Sequence, residues 1–355
     1  MKKNENIRLS ASRIKLLQSC SWKYWCNYHL HLPRKGNDGS ARGTACHLIL
    51  EMVLNPRRKT YIKKIITKSD SYCIKSIKRL VEKSLKDSGF FSTENVEMCN
   101  DMILVGLHCN FLGGKNAVIK EPEKEFLVEN QNPKYTIYGF MDKPIEYPKE
   151  SKLKIVDYKT SKEKFCEKEI EYNIQALCYL LASKSIWPKL KKRTVEFQFL
   201  KFPDNPSIEI EVSDEELEGF EYYLEHIYGL VNNFDTVQAK TNLAAHQKFP
   251  KRNEGFTGPL NCGFAKFPGQ KKKDGNPMWH CEHKFPYDYY ACVGKNNKVI
   301  STALEKKDLK KTKGMKIEKK HYEGCPAFRD YIAPAQEEES PPPCSSSAKG
   351  DAFDF

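Results

Sequence analysis

The tripeptide Asp157-Tyr158-Lys159 closes a short apolar stretch and constrains the fold more than any other feature of the chain. Short apolar runs are typical of β-strands, on which side chains alternate between two faces. Asp157 and Lys159 therefore share one face, and Tyr158 points to the other. A preceding strand, predicted over 135–147, carries Asp142. If the two strands pair as a hairpin, Asp142 lies beside Asp157 and Lys159.

Two carboxylates and a lysine on one face suit the hydrolysis of a phosphodiester bond. The oxygens of Asp142 and Asp157 can hold one or two Mg²⁺ ions, which polarise the phosphate and acidify a bound water. Lys159 can orient that water or neutralise charge that develops on the phosphate. These residues by themselves predict a metal-dependent nuclease.

The charge balance favours a polyanionic partner. The 355 residues have a formal net charge of +13, although residues 333–355 hold one lysine against three glutamates and two aspartates. Such a basic body attracts nucleic acid, and solubility alone is the alternative explanation. The sequence has no apolar run long enough for a membrane span and no apolar stretch behind its first residues. We therefore expect no membrane partner and a cytoplasmic location, in the host cytoplasm if a phage encodes the protein.

Apolar periodicity and turn residues indicate an α/β protein. The predicted helices cover 10–29, Gly43 to Asn55, most of 61–112, 169–183 and 213–232, and the predicted strands cover 123–129, 135–147, 152–158, 195–202 and 208–212. After residue 232 the regular pattern fades into a segment rich in Cys, Lys, Pro and Gly.

These patterns divide the chain into four parts. Residues 1–120 are predicted to form a helical N-terminal part, and 121–232 a catalytic α/β core. Residues 233–332 are predicted to form an irregular Cys- and Lys-rich segment with a possible cluster or zinc site. The acidic, Pro- and Ser-rich residues 333–355 are expected to be disordered.

Several motifs occur in an order that resembles the RecB-type branch of the PD-(D/E)XK nuclease superfamily. They are Leu9-Ser10-Ala11-Ser12-Arg13 with Cys20 and Leu32-Pro33, Gly43-Thr44-Ala45-Cys46-His47, Gly139-Phe140-Met141-Asp142, Asp157-Tyr158-Lys159-Thr160, and Gln175 with Tyr179. The resemblance covers residues 8–200. It implies a restriction-endonuclease-like core, in which helices flank a mixed central sheet, and a nuclease that uses Mg²⁺ or Mn²⁺.

The resemblance assigns roles to residues of this chain. His47, Asp142, Asp157 and the carbonyl oxygen of Tyr158 match the metal ligands, and Lys159 matches the catalytic lysine. Gln175 and Tyr179 match a Q-x-x-x-Y element that places polar groups near the DNA backbone and the active site. Glu125 could supply a further carboxylate, although Glu123 and Glu129 share its face by the same alternation.

Cysteines raise the question of a second cofactor. In many RecB-type nucleases, an N-terminal cysteine joins three C-terminal cysteines around a [4Fe–4S] cluster, and here Cys20 matches with Cys262, Cys281 and Cys292. Their spacing departs from the usual crowded C-terminal motif, and Cys325 could replace Cys262. Because His280 and His283 flank Cys281, a Zn²⁺ site is an alternative, as are free thiols.

The overall expectation is a DNA exonuclease that acts on ends or single strands in recombination, repair or replication. No phosphate-binding loop of the G-x-x-x-x-G-K-[ST] type occurs, so any unwinding motor is a separate partner. The length favours a stand-alone nuclease of viral, phage or bacterial-recombination type. The acidic, aromatic tip Asp351 to Phe355 suggests docking on a replication or recombination protein. A non-catalytic nucleic-acid-binding or assembly protein on the same scaffold is the alternative function.

Overall fold

The computed structural model describes residues 7–246, 262–294, 297–310 and 314–328. The helices in these ranges are α1 (Ala11–Ser19), α2 (Ser21–Tyr28), α3 (Asp38–Leu54), α4 (Lys59–Lys68), α5 (Lys75–Asp87), α6 (Thr93–His108), α7 (Glu167–Glu171), α8 (Ile174–Ile186) and α9 (Asp214–Asn232). The strands are β1 (Val118–Ile119), β2 (Lys124–Gln131), β3 (Lys134–Met141), β4 (Lys143–Tyr147), β5 (Lys152–Lys159), β6 (Lys192–Phe199), β7 (Ser207–Ile210), β8 (Tyr287–Val293), β9 (Val299–Ala303) and β10 (Lys316–Tyr322).

A mixed five-stranded sheet in the order β1-β4-β5-β6-β7 forms the centre of the molecule. Strand β5 runs parallel to β6 and antiparallel to β4. A parallel pair needs a long crossover, and α7 and α8 provide it here. Both strands of this parallel pair end at the same edge of the sheet.

Helices cover both faces of this sheet. On one face, Val156 and Tyr158 of β5 pack into a core with helices α3 to α6. On the other face, Leu153 and Ile155 pack into a core with α1, α8 and α9. The predicted α/β arrangement, a mixed central sheet flanked by helices, is confirmed.

The strand predicted over 135–147 is divided at Asp142. Its first part, β3, pairs with β2 in a separate two-stranded sheet, whereas its second part, β4, pairs with β5. The apolar alternation continues across the division, so the sequence pattern does not reveal it. Asp142 therefore lies where the chain leaves one sheet and joins another.

The helix predicted over 10–29 is also divided, at Cys20. This residue has an extended backbone, which ends α1, and its sulfur accepts a hydrogen bond from the Lys23 N–H at the start of α2. Because Cys20 caps a helix, its sulfur lies at a chain bend rather than along a helix face.

The segment after residue 232, predicted to be irregular, contains a three-stranded antiparallel sheet in the order β10-β8-β9. Strand β10 is rich in lysine and buries only Tyr322, so apolar alternation gave no signal for it. The Tyr322 hydroxyl accepts a hydrogen bond from the Trp22 indole at 2.8 Å and donates one to the His283 carbonyl at 2.9 Å. These bonds join the C-terminal sheet to α2.

The predicted docking tip and the predicted absence of a membrane span have different outcomes. The acidic tip Asp351 to Phe355 and the rest of residues 329–355 lie outside the described residues. Among the helices that are described, none is both long and apolar enough to cross a membrane.

Gly139 tests the packing that supports the β2–β3 hairpin. A Cβ at this position would lie 2.7 Å from the Phe126 ring, so G139A forces the ring to move. We expect a loss of about 1–3 kcal/mol in the free energy of unfolding, measured by urea denaturation.

G219A is the matched control for this substitution. Gly219 lies in α9, and a Cβ added there would meet no atom within 4 Å, so alanine should stabilise the helix by about 0.5–1 kcal/mol. Equal effects of the two substitutions would contradict the close packing at Gly139.

Candidate active site

The site begins with Asp142, between β3 and β4. Strand β4 pairs with β5 from Lys143 opposite Val156 onward, which brings Asp142 to the end of β5. The Tyr158 N–H donates a hydrogen bond to Asp142 Oδ2 at 2.9 Å. This bond holds the Asp142 carboxylate against the backbone of β5, next to Asp157.

Asp157 is buried, with only 2% of its surface exposed. Its Oδ1 accepts hydrogen bonds from Gln175 Nε2 at 2.7 Å and from the Tyr179 hydroxyl at 2.9 Å. Its Oδ2 lies against the Lys159 ammonium and has no other partner within the described residues. Two polar side chains of α8 thus orient this carboxylate directly.

Lys159 shares a face with Asp157, as strand alternation requires. Its Nζ donates to Gln175 Oε1 at 2.8 Å and lies 5.1 Å from the centre of the Phe197 ring. About a fifth of the side chain, 22%, remains exposed. The ammonium group is therefore held in place and still accessible from solvent.

His47 reaches the same point from α3. Its Nε2 lies 3.1 Å from the Tyr158 carbonyl oxygen, and its Nδ1 lies 3.3 Å from Asp142 Oδ2. Gly43, one turn earlier, lets the helix approach closely, because a Cβ there would stand 3.1 Å from Thr160 Oγ1. The helix thus brings the imidazole to two of the predicted metal ligands.

Glu123 completes the group, although sequence alternation left it as one of three alternatives. Its N–H donates to the Asp142 carbonyl oxygen at 3.0 Å, and its Oε1 lies 4.0 Å from His47 Nδ1. Its φ of +50° is in the left-handed region, which costs a non-glycine residue about 1 kcal/mol or more. Glu125, also considered, lies within β2 opposite Phe140 and is exposed.

Ligand atoms of His47, Glu123 and Asp142 all lie within 4.8 Å of one another. Within the described ranges, this is the only group of three such residues. Carboxylate oxygens suit Mg²⁺ and Mn²⁺, and an imidazole nitrogen is compatible with Mn²⁺. The donor set therefore fits a divalent cation, and Asp157 and the Tyr158 carbonyl oxygen are its neighbours.

The electrostatics of the site reflect crowded carboxylates. Burial raises the pKa of Asp157, an effect that Lys159 opposes and Asp142 increases. Burial and then Asp142 raise the pKa of Glu123. Burial opposes charge on His47, but the hydrogen bond to Asp142 and nearby carboxylates offset it and raise its pKa to about 9. In the metal-free chain, the proton on His47 therefore supplies part of the positive charge that balances these carboxylates.

Four cysteines line a second pocket, of about 210 Å³, near the start of α2. They are Cys20, Cys262, Cys281 and Cys325. The Cys281 N–H donates to the Cys262 carbonyl oxygen at 3.1 Å, and the Cys325 N–H donates to the Lys284 carbonyl oxygen at 3.2 Å. Burial raises the pKa of Cys262 to about 12, and the nearby cysteines add to this effect.

Cys292, predicted to join this group, lies elsewhere. It is buried in β8 among Ala303, Leu309 and Met315 in a small separate core. Alternation along β8 directs its side chain toward this core, which residue spacing alone did not reveal. The fourth cysteine beside Cys20 is therefore Cys325.

The proposed histidine ligands of a zinc site differ in their availability. Both ring nitrogens of His283 are occupied, by the Tyr287 hydroxyl at 3.1 Å and by Asn27 Oδ1 at 3.0 Å. Burial lowers the pKa of His283 to about 4, so the ring is neutral. His280 Nδ1 lies 3.0 Å from the Cys281 carbonyl oxygen. His283 is thus a structural residue of this core.

A group of carboxylates that fits a divalent cation, beside an accessible lysine at the end of a central strand in a mixed sheet, is the arrangement expected of a metal-dependent nuclease. The family model of the PD-(D/E)XK nuclease superfamily matches residues 8–255. The chain belongs to this superfamily.

No curated protein matches the sequence. Among solved structures, a presumed exonuclease from Eubacterium rectale is similar, with 13% sequence identity and a TM-score of 0.41. The similarity covers 64% of this chain and 81% of that protein.

Replacing His47 with Gln should remove one pH dependence of stability in the metal-free protein. The imidazole pKa is about 9 in the folded chain and about 6.5 when unfolded. Protonated His47 therefore stabilises the fold fully below about pH 6.5, and this stabilisation is lost as pH rises through about 9. Between these limits we expect wild type to lose about 2–3 kcal/mol relative to H47Q in EDTA.

Urea denaturation across this pH range measures the difference, and H108Q is the control because His108 is exposed on α6. If wild type and H47Q show the same pH slope, the charge assignment at His47 is wrong.

Proposed function

We propose that this protein is a DNA exonuclease that uses Mg²⁺ or Mn²⁺ and acts on ends or single strands. The observation that carries the proposal is the convergence of His47, Glu123, Asp142 and Asp157 beside Lys159 at the end of β5. The order of motifs supports the RecB-type branch, and recombination, repair or replication are the processes such an activity would serve.

Each residue has a distinct role in this proposal. His47, Glu123, Asp142, Asp157 and the Tyr158 carbonyl oxygen would hold the cation, which supplies an acidified water and stabilises charge on the phosphate. Gln175 and Tyr179 hold Oδ1 of Asp157 through the bonds described above, so that Oδ2 is directed toward Lys159.

Lys159 lies beside the proposed cation ligands and is not itself one of them. Its Nζ contacts Asp157 and Gln175 and remains partly exposed, so it can orient the attacking water or donate a hydrogen bond to a phosphate oxygen. Because the bond to Gln175 fixes its position, little reorganisation is needed during the reaction.

D157N tests the nuclease proposal with little change of shape, because Asn keeps an oxygen that accepts from Gln175 and Tyr179. We expect cleavage of end-labelled DNA to fall by about a thousandfold or more, since a charged ligand is lost. The assay compares single- and double-stranded DNA with Mg²⁺, Mn²⁺ or EDTA.

E209Q is the matched control. Glu209 lies on β7 of the same sheet and pairs with Lys154 at 2.8 Å, away from the cation group. Cleavage that is insensitive to EDTA or unchanged in D157N would contradict the proposal. DNA binding without cleavage under any metal would favour the non-catalytic nucleic-acid-binding function.

We also infer that Cys20, Cys262, Cys281 and Cys325 hold a [4Fe–4S] cluster. One Zn²⁺ ion holds four thiolates with sulfurs about 3.8 Å apart, and within the described residues no three cysteine sulfurs lie within 4.8 Å of one another. A cluster binds each thiolate at a different iron, so it accepts a wider spacing. Such a cluster would fasten the N-terminal helices to the C-terminal segment.

C325S and C292S separate this ligand set from the one that includes Cys292. After anaerobic purification, we expect C325S to lose iron, sulfide and the visible absorbance of the cluster, because three thiolates hold a four-iron cluster weakly. C292S should keep all three signals, since Cys292 packs against Met315 with a sulfur–sulfur distance of 3.8 Å. Loss of iron in C292S, or zinc as the bound metal, would contradict the inference.

The acidic tip at Asp351 to Phe355 remains part of the proposal as a docking peptide for a replication or recombination protein. Its two phenylalanines stand among acidic residues, a composition that suits an apolar pocket with a basic rim.

A further inference from the structure

Three basic residues lie just after the parallel strands β5 and β6 or on helix α3, which contacts this edge of the sheet at Thr160. Lys162 follows β5, Lys201 follows β6, and Arg42 extends from the first turns of α3. A hydrogen bond of 2.8 Å from the Leu200 N–H to the Lys159 carbonyl oxygen holds the two strand ends together. The group is outside the cation site and has no role in the reaction proposed above.

Arg42 is the most unusual member of this group. It is buried, with a relative exposure of 7%, yet its Nε has no hydrogen-bond partner among the residues that the structure describes. Its Nη1 donates to the amide oxygen of Asn95, a neutral acceptor. A buried guanidinium without a carboxylate is costly, because burial of charge requires compensation.

No carboxylate among the described residues lies within 4.0 Å of Arg42, Lys162 or Lys201. The nearest acid to the guanidinium along the hydrogen bonds is Asp38, which is reached only through the amide of Asn95. Burial lowers the pKa of Lys201, and the charges of Arg42 and Lys162 lower it further. Arg42 and Lys162 thus both repel the Lys201 ammonium in the free protein.

The group lies close to the cation site. Arg42 and His47 are both in α3, five residues apart, which corresponds to about 7.5 Å along the helix axis. Thr160 follows Lys159 directly and contacts α3 at Gly43. A ligand bound here therefore lies next to the catalytic lysine rather than on a remote surface.

We propose that Arg42, Lys162 and Lys201 bind a second phosphate group of the nucleic-acid strand whose scissile phosphate lies at the cation site. This inference rests on the proposed nuclease function. A phosphate has several acceptor oxygens, and its negative charge would balance these three cations. The planar guanidinium of Arg42 can donate two parallel hydrogen bonds to phosphate oxygens. The group is either an internal phosphodiester or a terminal phosphate, and a terminal phosphate, with its greater charge, binds more tightly.

The test uses K162Q/K201Q, which removes two charges from exposed or half-buried side chains and leaves Arg42 in its core. K63Q/K64Q is the matched control, because both lysines are exposed on α4 and have the same charge change. In EDTA, inorganic phosphate should raise the Tm of wild type and control above the value in chloride of equal ionic strength, by preferential binding to the folded state. We expect this increase to disappear in K162Q/K201Q.

The second measurement is steady-state cleavage of oligonucleotides with phosphate or hydroxyl ends. We expect K162Q/K201Q to raise KM about tenfold with kcat within about twofold of wild type, because the lost contact is present before and during the reaction. If the increase is confined to substrates with a terminal phosphate, the site binds that phosphate. If it is equal for all substrates, the site binds an internal one.

The proposal would be overturned if phosphate raised the Tm of wild type, K162Q/K201Q and K63Q/K64Q equally. It would also be overturned if K162Q/K201Q had the same KM as wild type. The Tm measurement needs no cleavage. If wild type cuts no DNA but phosphate still stabilises it through Lys162 and Lys201, the nuclease proposal fails and the phosphate site stands.

Discussion

The hydrogen bond from the Tyr158 N–H to Asp142 Oδ2 is the interaction on which the rest of the site depends. It joins the end of the central strand β5 to the point where the chain passes from the two-stranded sheet to the five-stranded sheet. Without it, a buried backbone N–H would lack a partner, which costs about 1–3 kcal/mol. Asp142 is therefore both a candidate cation ligand and the residue that completes the pairing of β5.

A buried lysine lies on the face of β5 opposite to the Asp157 carboxylate. Lys143 is fully buried, and its Nζ donates to the Phe111 carbonyl oxygen at 3.1 Å and lies 5.2 Å from the centre of the Tyr158 ring. Burial lowers its pKa to about 8, and Glu196 and Asp142 oppose that change. Burial thus disfavours the charged forms of Asp157, Glu123 and Lys143, and a divalent cation would lower this cost for the two carboxylates.

The central part of the site was predictable because its geometry is local, whereas Glu123 and the fourth cysteine were not. Asp157 and Lys159 share a strand face, and the hairpin connection brings Asp142 next to them. Glu123 precedes β2 with φ of +50° and does not follow the strand alternation. Cys292 and Cys325 are separated by β9 and β10, and their spacing does not tell which one faces Cys20. The three-stranded sheet decides it, because β8 directs Cys292 into its own small core while Cys325 follows β10 into the pocket.

Helix α3 connects the proposed cation site to the proposed phosphate site. It carries Arg42 and His47 on one rigid element, so their relative position, about 7.5 Å along the axis and about 140° around it, is set by helix geometry rather than by loop conformation. A strand held at Arg42, Lys162 and Lys201 would therefore present a neighbouring phosphate to the cation site across a distance that the rigid helix helps to fix.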